Sequence, residues 1–232
     1  MQIKTNGGRT VRAYLVYPQI DKPVLVVLAV VVIHENRGLN DWARGVADQL
    51  AQAGYVALAP DLLSATGPGG GGTESYPSSD AAREGIYKLL PEQVLDDLDA
   101  ATAYVRALKS TTDVVAVAGF CWGGGQTFRY AAHNPDIAAA FVFYGPAPDA
   151  DSMKTIKAPV YGFYGGNDHR ISAAVLDTEK TMRELGKTYA AVVYDGVGHG
   201  FMRSGEASDA DPANKEARAQ GWERWKMLLG RL

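Results

Sequence analysis

The sequence predicts an α/β protein with a mostly parallel central sheet and helices on both faces. Segments with the patterns of strands and of amphipathic helices alternate along almost the whole chain. Residues 24–33 are apolar without interruption, as a strand buried on both faces of a parallel sheet must be. Ligands of such sheets bind beyond the carboxyl ends of the strands, so we expect functional residues in the loops that follow strands.

Composition narrows the class of protein. The 232 residues fit a single domain, which we expect to span residues 1–232. With 23 basic and 26 acidic side chains, the net charge is −3. This balance argues against binding to nucleic acid or to an anionic membrane, because both need a basic excess. The longest apolar run, residues 24–33, is too short to span a bilayer, and the first residues lack the apolar stretch of a secretory signal. We therefore expect a cytoplasmic protein.

The first half of the chain is predicted to contain three strands and three helices. Their expected ranges are strand 11–17 (an edge strand or hairpin arm), strand 24–33, helix 42–53, strand 55–59, helix 80–90 and a helix that begins at Pro91. We expect Pro60 to end the third strand, since proline lacks the N–H that a ladder needs. Residues 62–79 include the run GPGGGG and are predicted to form a long loop, either functional or disordered.

The second half of the chain continues the alternation. Its expected elements are strand 114–118, helix 123–133, strand 137–144, strand 160–164, helix 173–185, strand 190–194 and helix 214–229. No internal repeat and no charge run interrupts this order. Three of the loops that follow strands, at 119–123, 165–171 and 196–203, each contain a residue type used in catalysis.

The most specific motif lies at residues 119–124, which read GFCWGG between a predicted strand and a predicted helix. This is the G-x-S-x-G turn of hydrolases with cysteine in place of serine. Such a turn is tight, so the neighbours of the nucleophile must have little or no side chain. It points the Cys121 thiol into the cleft and the backbone N–H of Trp122 toward any anion formed there. The alternative is a buried, inert cysteine.

A cysteine nucleophile needs a base, and the base needs a group that orients it. His199 lies in a glycine-flanked loop after the last predicted strand, and Asp168 follows strand 160–164. Asp168 also lies between the nucleophile and the histidine in sequence, the order found in hydrolase triads. The rival acid, Asp195, suits the end of its own strand better. The predicted triad is therefore Cys121, Asp168 and His199.

No metal site is predicted. The pairs His34–Glu35 and Asp168–His169 lack the spacing of a ligand motif such as H-E-x-x-H. Cys121 is the only cysteine, which excludes an intramolecular disulfide and a cysteine-rich zinc module. We therefore expect a chelator to have no effect on activity.

At five places the sequence resembles the dienelactone hydrolase family of α/β-hydrolases. The matching motifs extend over nearly the whole chain and are IHENRGLN at 33–40, APDL at 59–62, GFCWGG at 119–124, GGND at 165–168 and GHGF at 198–201. The resemblance implies the α/β-hydrolase fold and a carboxymethylenebutenolidase-like hydrolase of small carboxylic esters or lactones. It also implies a monomer that acts on a small molecule without a cofactor.

The resemblance implies a role for each triad residue and for a second carboxylate. Cys121 resembles the family's nucleophile, His199 its base and Asp168 the carboxylate that orients the base. Glu35 resembles the second carboxylate, which contacts the thiol in the resting enzyme and helps to deprotonate it when substrate arrives.

The resemblance also implies binding roles. The backbone N–H groups of Asn36 and Trp122 resemble the oxyanion hole. Arg203 resembles one of two arginines that hold the substrate carboxylate in the family's lactone hydrolases, and Arg83 with Tyr87 resembles the other arginine and its tyrosine neighbour. The alternatives are a solvated loop arginine at 203 and an exposed helix face at 83 and 87. His34 receives no role.

Two functions follow from these residues. The first is a cysteine-dependent hydrolase that forms a thioester acyl-enzyme. A thiolate is itself a good leaving group, so it suits activated esters and strained lactones rather than amides. The second is a non-catalytic or redox-sensing binding protein on a hydrolase fold, with Cys121 as its switch. A sensor needs neither Asp168 nor His199, so their presence favours the enzyme.

Overall fold

The structure is a computed structural model that describes residues 1–19 and 27–232. These residues form two compact units, Met1–Val117 and Ala118–Leu232. The expectation of one domain over residues 1–232 stays a prediction. Part of the predicted strand 24–33, namely residues 24–26, lies outside the described residues.

The first unit contains the antiparallel edge of the sheet. Its elements are β1 (Gln2–Lys4), β2 (Thr10–Val16), β3 (Val27–Ile33), α1 (Asp41–Gln52), β4 (Val56–Asp61), α2 (Ser79–Ile86), α3 (Pro91–Arg106) and most of β5 (Thr111–Phe120). The strand order is β1-β2-β4-β3-β5. β2 runs antiparallel to both β1 and β4, whereas β3 and β4 are parallel. β2 is therefore the hairpin arm that its alternating pattern predicted.

The second unit is parallel throughout the strand pairs that the structure describes. After the end of β5 come α4 (Trp122–His133), β6 (Ala139–Phe143), α5 (Ala150–Met153), β7 (Val160–Gly165), α6 (His169–Ser172), α7 (Val175–Glu184), β8 (Tyr189–Tyr194), α8 (Phe201–Ser204) and α9 (Pro212–Leu229). The strands follow in the order β5-β6-β7-β8, with β6 parallel to β7 and β7 parallel to β8. The predicted fold class, a mostly parallel sheet with helices, is confirmed.

Local sequence explains where the helices begin. The Asn40 side chain accepts a hydrogen bond from the Ala43 N–H (3.0 Å) and so caps α1. Pro91 opens α3, where its missing N–H costs nothing. Val94 and Leu98 of α3 are buried, as the inner face of an amphipathic helix must be.

An aromatic cluster fills the core of the second unit. Phe143 at the end of β6 stacks on Phe120 of β5 (ring centroids 4.5 Å apart) and on Phe163 of β7 (4.2 Å). Trp225 of α9 meets the Phe143 ring at 64° with the centroids 5.0 Å apart. Each such pair contributes about 0.5–1.5 kcal/mol beyond the burial of apolar area. The cluster thereby fixes the strand ends that carry the loops described next.

The prediction that Pro60 ends its strand is wrong, because β4 runs on to Asp61. Pro60 pairs with Ala13 of β2. The N–H and C=O of Ala13 both bond to Met1 on the other side of β2 (3.0 and 2.8 Å). The pair with Ala13 therefore needs no hydrogen bond from Pro60, and the missing N–H does not interrupt the ladder between β2 and β4.

Short elements account for the other differences. The glycine-rich segment 62–79 is irregular up to the start of α2 at Ser79, except for two 3₁₀ turns at Pro68–Gly70 and Thr73–Ser75. The predicted helix 80–90 ends at Ile86. Four short elements were not predicted, because their sequences have no distinct apolar pattern: β1, α5, α6 and α8. In the part of the chain that the structure describes, no helix combines the length and hydropathy needed to cross a bilayer.

Candidate active site

Cys121 lies on a strained turn between β5 and α4. Its backbone has φ 57° and ψ −117°, a conformation that costs a non-glycine residue about 1–3 kcal/mol. The Cys121 N–H donates to the Phe143 carbonyl (3.0 Å), and the Cys121 carbonyl accepts from the Gly125 N–H (3.2 Å). A Cβ at Gly119 would overlap the backbone of Gly123, so the turn closes only with glycine there. The surrounding structure holds the thiol-bearing residue in place despite the strain.

His199 and Asp168 are directly bonded. His199 lies in the loop between β8 and α8, and Asp168 is buried just after β7. The Nδ1 of His199 is 2.6 Å from Oδ2 of Asp168. Asp168, rather than the rival Asp195, is therefore the carboxylate bonded to the imidazole.

The electrostatics of His199 link it to the thiol. A hydrogen bond with the Cys121 side chain is the largest influence that raises the pKa of His199, burial opposes it, and the bond to Asp168 adds to the rise. Because Nδ1 is bonded to Asp168, Nε2 is the nitrogen available to the thiol. The structure thus brings the three predicted triad residues into one hydrogen-bonded chain.

Tyr144, which sequence reasoning missed, packs against this histidine. The Tyr144 ring is buried and meets the His199 imidazole edge-on, at 66° with centroids 5.1 Å apart. Its backbone φ of 41° is another positive value at a non-glycine residue, and its N–H donates to the Phe163 carbonyl (2.8 Å). Its position at the end of the predicted strand 137–144 was the available signal.

Trp122 and Arg203 also lie in the second unit. Trp122 is the first residue of α4, so its N–H is among those at the helix start that have no partner within the helix. Arg203 lies in the single turn of α8, four residues after His199, and is exposed.

In the first unit, Glu35 and His34 follow β3 and are both buried. The Leu62 N–H donates to Nε2 of His34 (3.3 Å), which places the imidazole proton on Nδ1, and Nδ1 donates to the Glu35 carbonyl (2.8 Å). Burial lowers the pKa of His34, so the ring stays neutral. His34 therefore holds the backbone beside Glu35.

Two other predicted residues of the first unit meet. The Asn36 side-chain amide donates to the Tyr87 hydroxyl (3.0 Å). Tyr87 caps the end of α2, one turn after Arg83, and both side chains are exposed. This hydrogen bond joins the loop after β3 to the end of α2. Among the described residues, no group of three or more histidine, cysteine or carboxylate side chains is arranged to hold a metal ion.

The fold and the turn together define the class of protein. A mostly parallel sheet carries a cysteine on a strained strand-to-helix turn, with an aspartate and a histidine after later strands. This is the arrangement of the α/β-hydrolase fold.

Comparison with known proteins identifies the family. The model of the dienelactone hydrolase family matches residues 11–232. A Methylorubrum extorquens protein named "Putative carboxymethylenebutenolidase" is 36% identical, over 91% of this chain and 74% of its own length. An Escherichia coli K12 protein of the same name is 31% identical, over 94% of this chain and 81% of its own. The solved structure of a "Putative Dienelactone Hydrolase" from Klebsiella pneumoniae has a TM-score of 0.83 at 28% identity and covers 100% of this chain and 98% of that one. The chain belongs to the dienelactone hydrolase family and is a carboxymethylenebutenolidase-like hydrolase.

Proposed function

We propose that this hydrolase cleaves small carboxylic esters or lactones through a thioester on Cys121. The observation that carries the proposal is the hydrogen-bonded chain from Asp168 through His199 to the Cys121 side chain, with the cysteine on a strained turn. An ordinary thiol is only a few per cent thiolate at neutral pH, so an adjacent base is what makes it a nucleophile.

In the proposed acylation, Nε2 of His199 takes the thiol proton as the sulfur attacks the carbonyl carbon. The carbonyl oxygen becomes an oxyanion, which the backbone N–H groups of Trp122 and Asn36 stabilise. When the oxyanion collapses, the C–O bond breaks and the leaving oxygen takes the proton from His199. Asp168 stabilises the imidazolium and holds the Nδ1–H tautomer throughout.

In the proposed deacylation, water takes the place of the leaving oxygen, which departs as an alcohol from an ester and stays attached to the acyl group in an opened lactone. His199 takes a proton from this water as its oxygen attacks the thioester carbon. The C–S bond then breaks, the acid is released, and the sulfur recovers its proton from the imidazolium. Because a thiolate leaves readily, the cycle favours activated esters and strained lactones over amides.

Glu35 is proposed to keep the thiol protonated until substrate arrives. A carboxylate beside a thiol opposes formation of a second negative charge, and this protects the sulfur from oxidation. The family resemblance supports this role, and the burial of Glu35 directly after β3 is compatible with it.

For substrates that carry a carboxylate, we propose that Arg83 and Arg203 bind it, with the Tyr87 hydroxyl beside them. Guanidinium groups match the geometry of carboxylates. The bond between Asn36 and Tyr87 supports a binding role for the end of α2. We further propose that the protein is a cytoplasmic monomer that needs no cofactor. Light scattering would test the monomer, and activity after EDTA treatment would test the independence from metal ions.

The test of the proposed function is the time course of p-nitrophenyl acetate hydrolysis. A burst of about one nitrophenol per chain, followed by steady turnover, is expected, and Cys121→Ala should abolish both. His199→Ala should slow acylation, whereas the matched change His133→Ala, at an exposed histidine of α4, should not. Unchanged hydrolysis by Cys121→Ala would defeat the proposal. A burst without turnover would instead indicate a reactive, non-catalytic thiol.

A further inference from the structure

Asp61, the last residue of β4, is a buried carboxylate that the proposed reaction does not use. It accepts hydrogen bonds from the Thr73 N–H (2.8 Å), the Thr73 hydroxyl (2.6 Å) and the Leu63 N–H (3.1 Å). A buried carboxylate needs such donors, because an unpaired charge away from water is costly. Asp61 therefore fixes Thr73 within the glycine-rich segment 62–79.

Thr73 also contacts loop 34–40, which we define as the residues between β3 and α1. Its Oγ1 accepts a hydrogen bond from the Leu39 N–H (2.9 Å) while donating to Asp61. A Cβ at Gly38 would overlap the Thr73 side chain, and Gly38 has φ 76°. The Thr73 hydroxyl thus donates one hydrogen bond and accepts another, and the Thr73 side chain is closely packed against Gly38.

The other end of loop 34–40 is anchored independently. His34 joins the Leu62 N–H to the Glu35 carbonyl, as described above. Both ends of the loop are therefore bonded to the chain that follows β4. Between the two anchors lie Glu35 and Asn36.

We propose that Asp61 and Thr73 are positioning residues that fix loop 34–40 and thereby aim the backbone N–H of Asn36. The inference rests on the proposed function, in which that N–H stabilises the oxyanion. A donor stabilises an oxyanion only when it is held at hydrogen-bond distance before the reaction. A displacement of about 1 Å from a residue outside the chemistry costs up to about a hundredfold in rate.

The experiment compares Thr73→Val, which has the same shape but no hydroxyl, with Thr73→Ser, which keeps it. Thr66→Val is the matched control, because the Thr66 hydroxyl lies in the same segment and its partners there are the Leu63 carbonyl (2.7 Å) and the Tyr76 hydroxyl (3.3 Å). Two rates are measured at Cys121: acylation by p-nitrophenyl acetate, which needs the oxyanion hole, and alkylation by iodoacetamide, which does not.

Thr73→Val should slow acylation about tenfold, with alkylation within about twofold of the wild type. Thr73→Ser and Thr66→Val should acylate at close to the wild-type rate. Hydrogen exchange at the Leu39 amide should be faster in Thr73→Val alone. Thr73→Ala carries the same test if the valine variant does not fold.

Unchanged acylation in Thr73→Val would overturn the inference, and so would equal losses in acylation and alkylation, which a general loss of structure produces. Unchanged exchange at Leu39 would overturn it as well. Absence of acylation in the wild type would contradict the proposed function itself, and the inference would fall with it.

Discussion

Each unit contains a buried aspartate paired with a basic side chain, and the two pairs differ in their hydrogen bonds and in their pKa values. Asp168 is 7% exposed, and its Oδ2 is 2.6 Å from His199 Nδ1. Asp97, on α3, is 1% exposed, and its Oδ2 is 3.1 Å from Arg9 Nη1. Its Oδ1 has no hydrogen-bond partner among the residues described.

The electrostatic outcome differs accordingly. Burial raises the pKa of Asp97 to about 7, with Arg9 opposing and the neighbouring Asp96 adding to the rise. In the other pair, the bond from Asp168 contributes to raising the pKa of His199, after the larger influence of Cys121. Although both side chains are buried, the Asp97 carboxyl is close to losing its charge, whereas the Asp168 carboxylate is hydrogen-bonded to the His199 imidazole. The arrangement of donors, more than burial, separates a site for chemistry from a structural ion pair.

The largest expected effect comes from removing the charge of each aspartate. Asp168→Asn should lower kcat by about a hundredfold to ten-thousandfold, because the amide no longer selects the Nδ1–H tautomer of His199. Asp97→Asn should leave kcat within about twofold of the wild type. Steady-state kinetics on p-nitrophenyl acetate measures both, and equal losses would erase the distinction between the two pairs.

Next in size is the loss of the cation beside Asp97. Arg9→Met should lower the free energy of unfolding at pH 8 by about 3 kcal/mol, since the buried Asp97 must then either keep its charge without a partner or take up a proton. Part of this loss belongs to the hydrogen bonds from Arg9 to the Leu62 and Ser64 carbonyls. Arg44→Met breaks an exposed pair with Asp41 and should cost less than about 1 kcal/mol. Urea denaturation of the two variants compares them, and similar losses would contradict the account.

The pH dependence of stability isolates Asp97 further. Its folded-state pKa of about 7 lies above the ordinary 3.8, so folding takes up a proton between about pH 4 and 7. This contribution to stability is complete below about pH 4 and is lost as pH rises through 7, at no more than about 1.4 kcal/mol per pH unit. Relative to the wild type, Asp97→Asn should therefore become more stable as pH rises from 4 to 7. A difference that stays constant with pH would rule out the raised pKa.

The smallest expected effect is a change in the titration of His199. Cys121→Ala removes the largest influence that raises the pKa of His199, so that pKa should fall. NMR titration of the imidazole resonances measures the change, with His133 as an exposed control in the same spectra. A pKa of His199 that does not move would show that thiol and imidazole are not bonded.

Sequence predicted the residues of the first pair but not of the second. Asp168 and His199 each follow an apolar strand, and parallel strands bring such loops to one edge of the sheet. Arg9 and Asp97 are far apart in sequence, and the helical pattern of α3 gives no reason to bury a carboxylate among apolar residues. The partner of Asp61 was equally hidden, because Thr73 lies in a glycine-rich segment without periodicity. The pattern of apolar residues shows which face of a helix or strand is buried. Polar contacts between segments that are distant in sequence depend on how the elements pack, which this pattern does not encode.

The thioester on Cys121 is tested most directly by the mass of the protein quenched in acid during turnover of p-nitrophenyl acetate. We expect a fraction of the chains to carry one added acetyl group, located by peptide mapping on Cys121, and no such species in Cys121→Ala. Steady turnover with no acetylated chain, or with the acetyl group on another residue, would contradict this expectation.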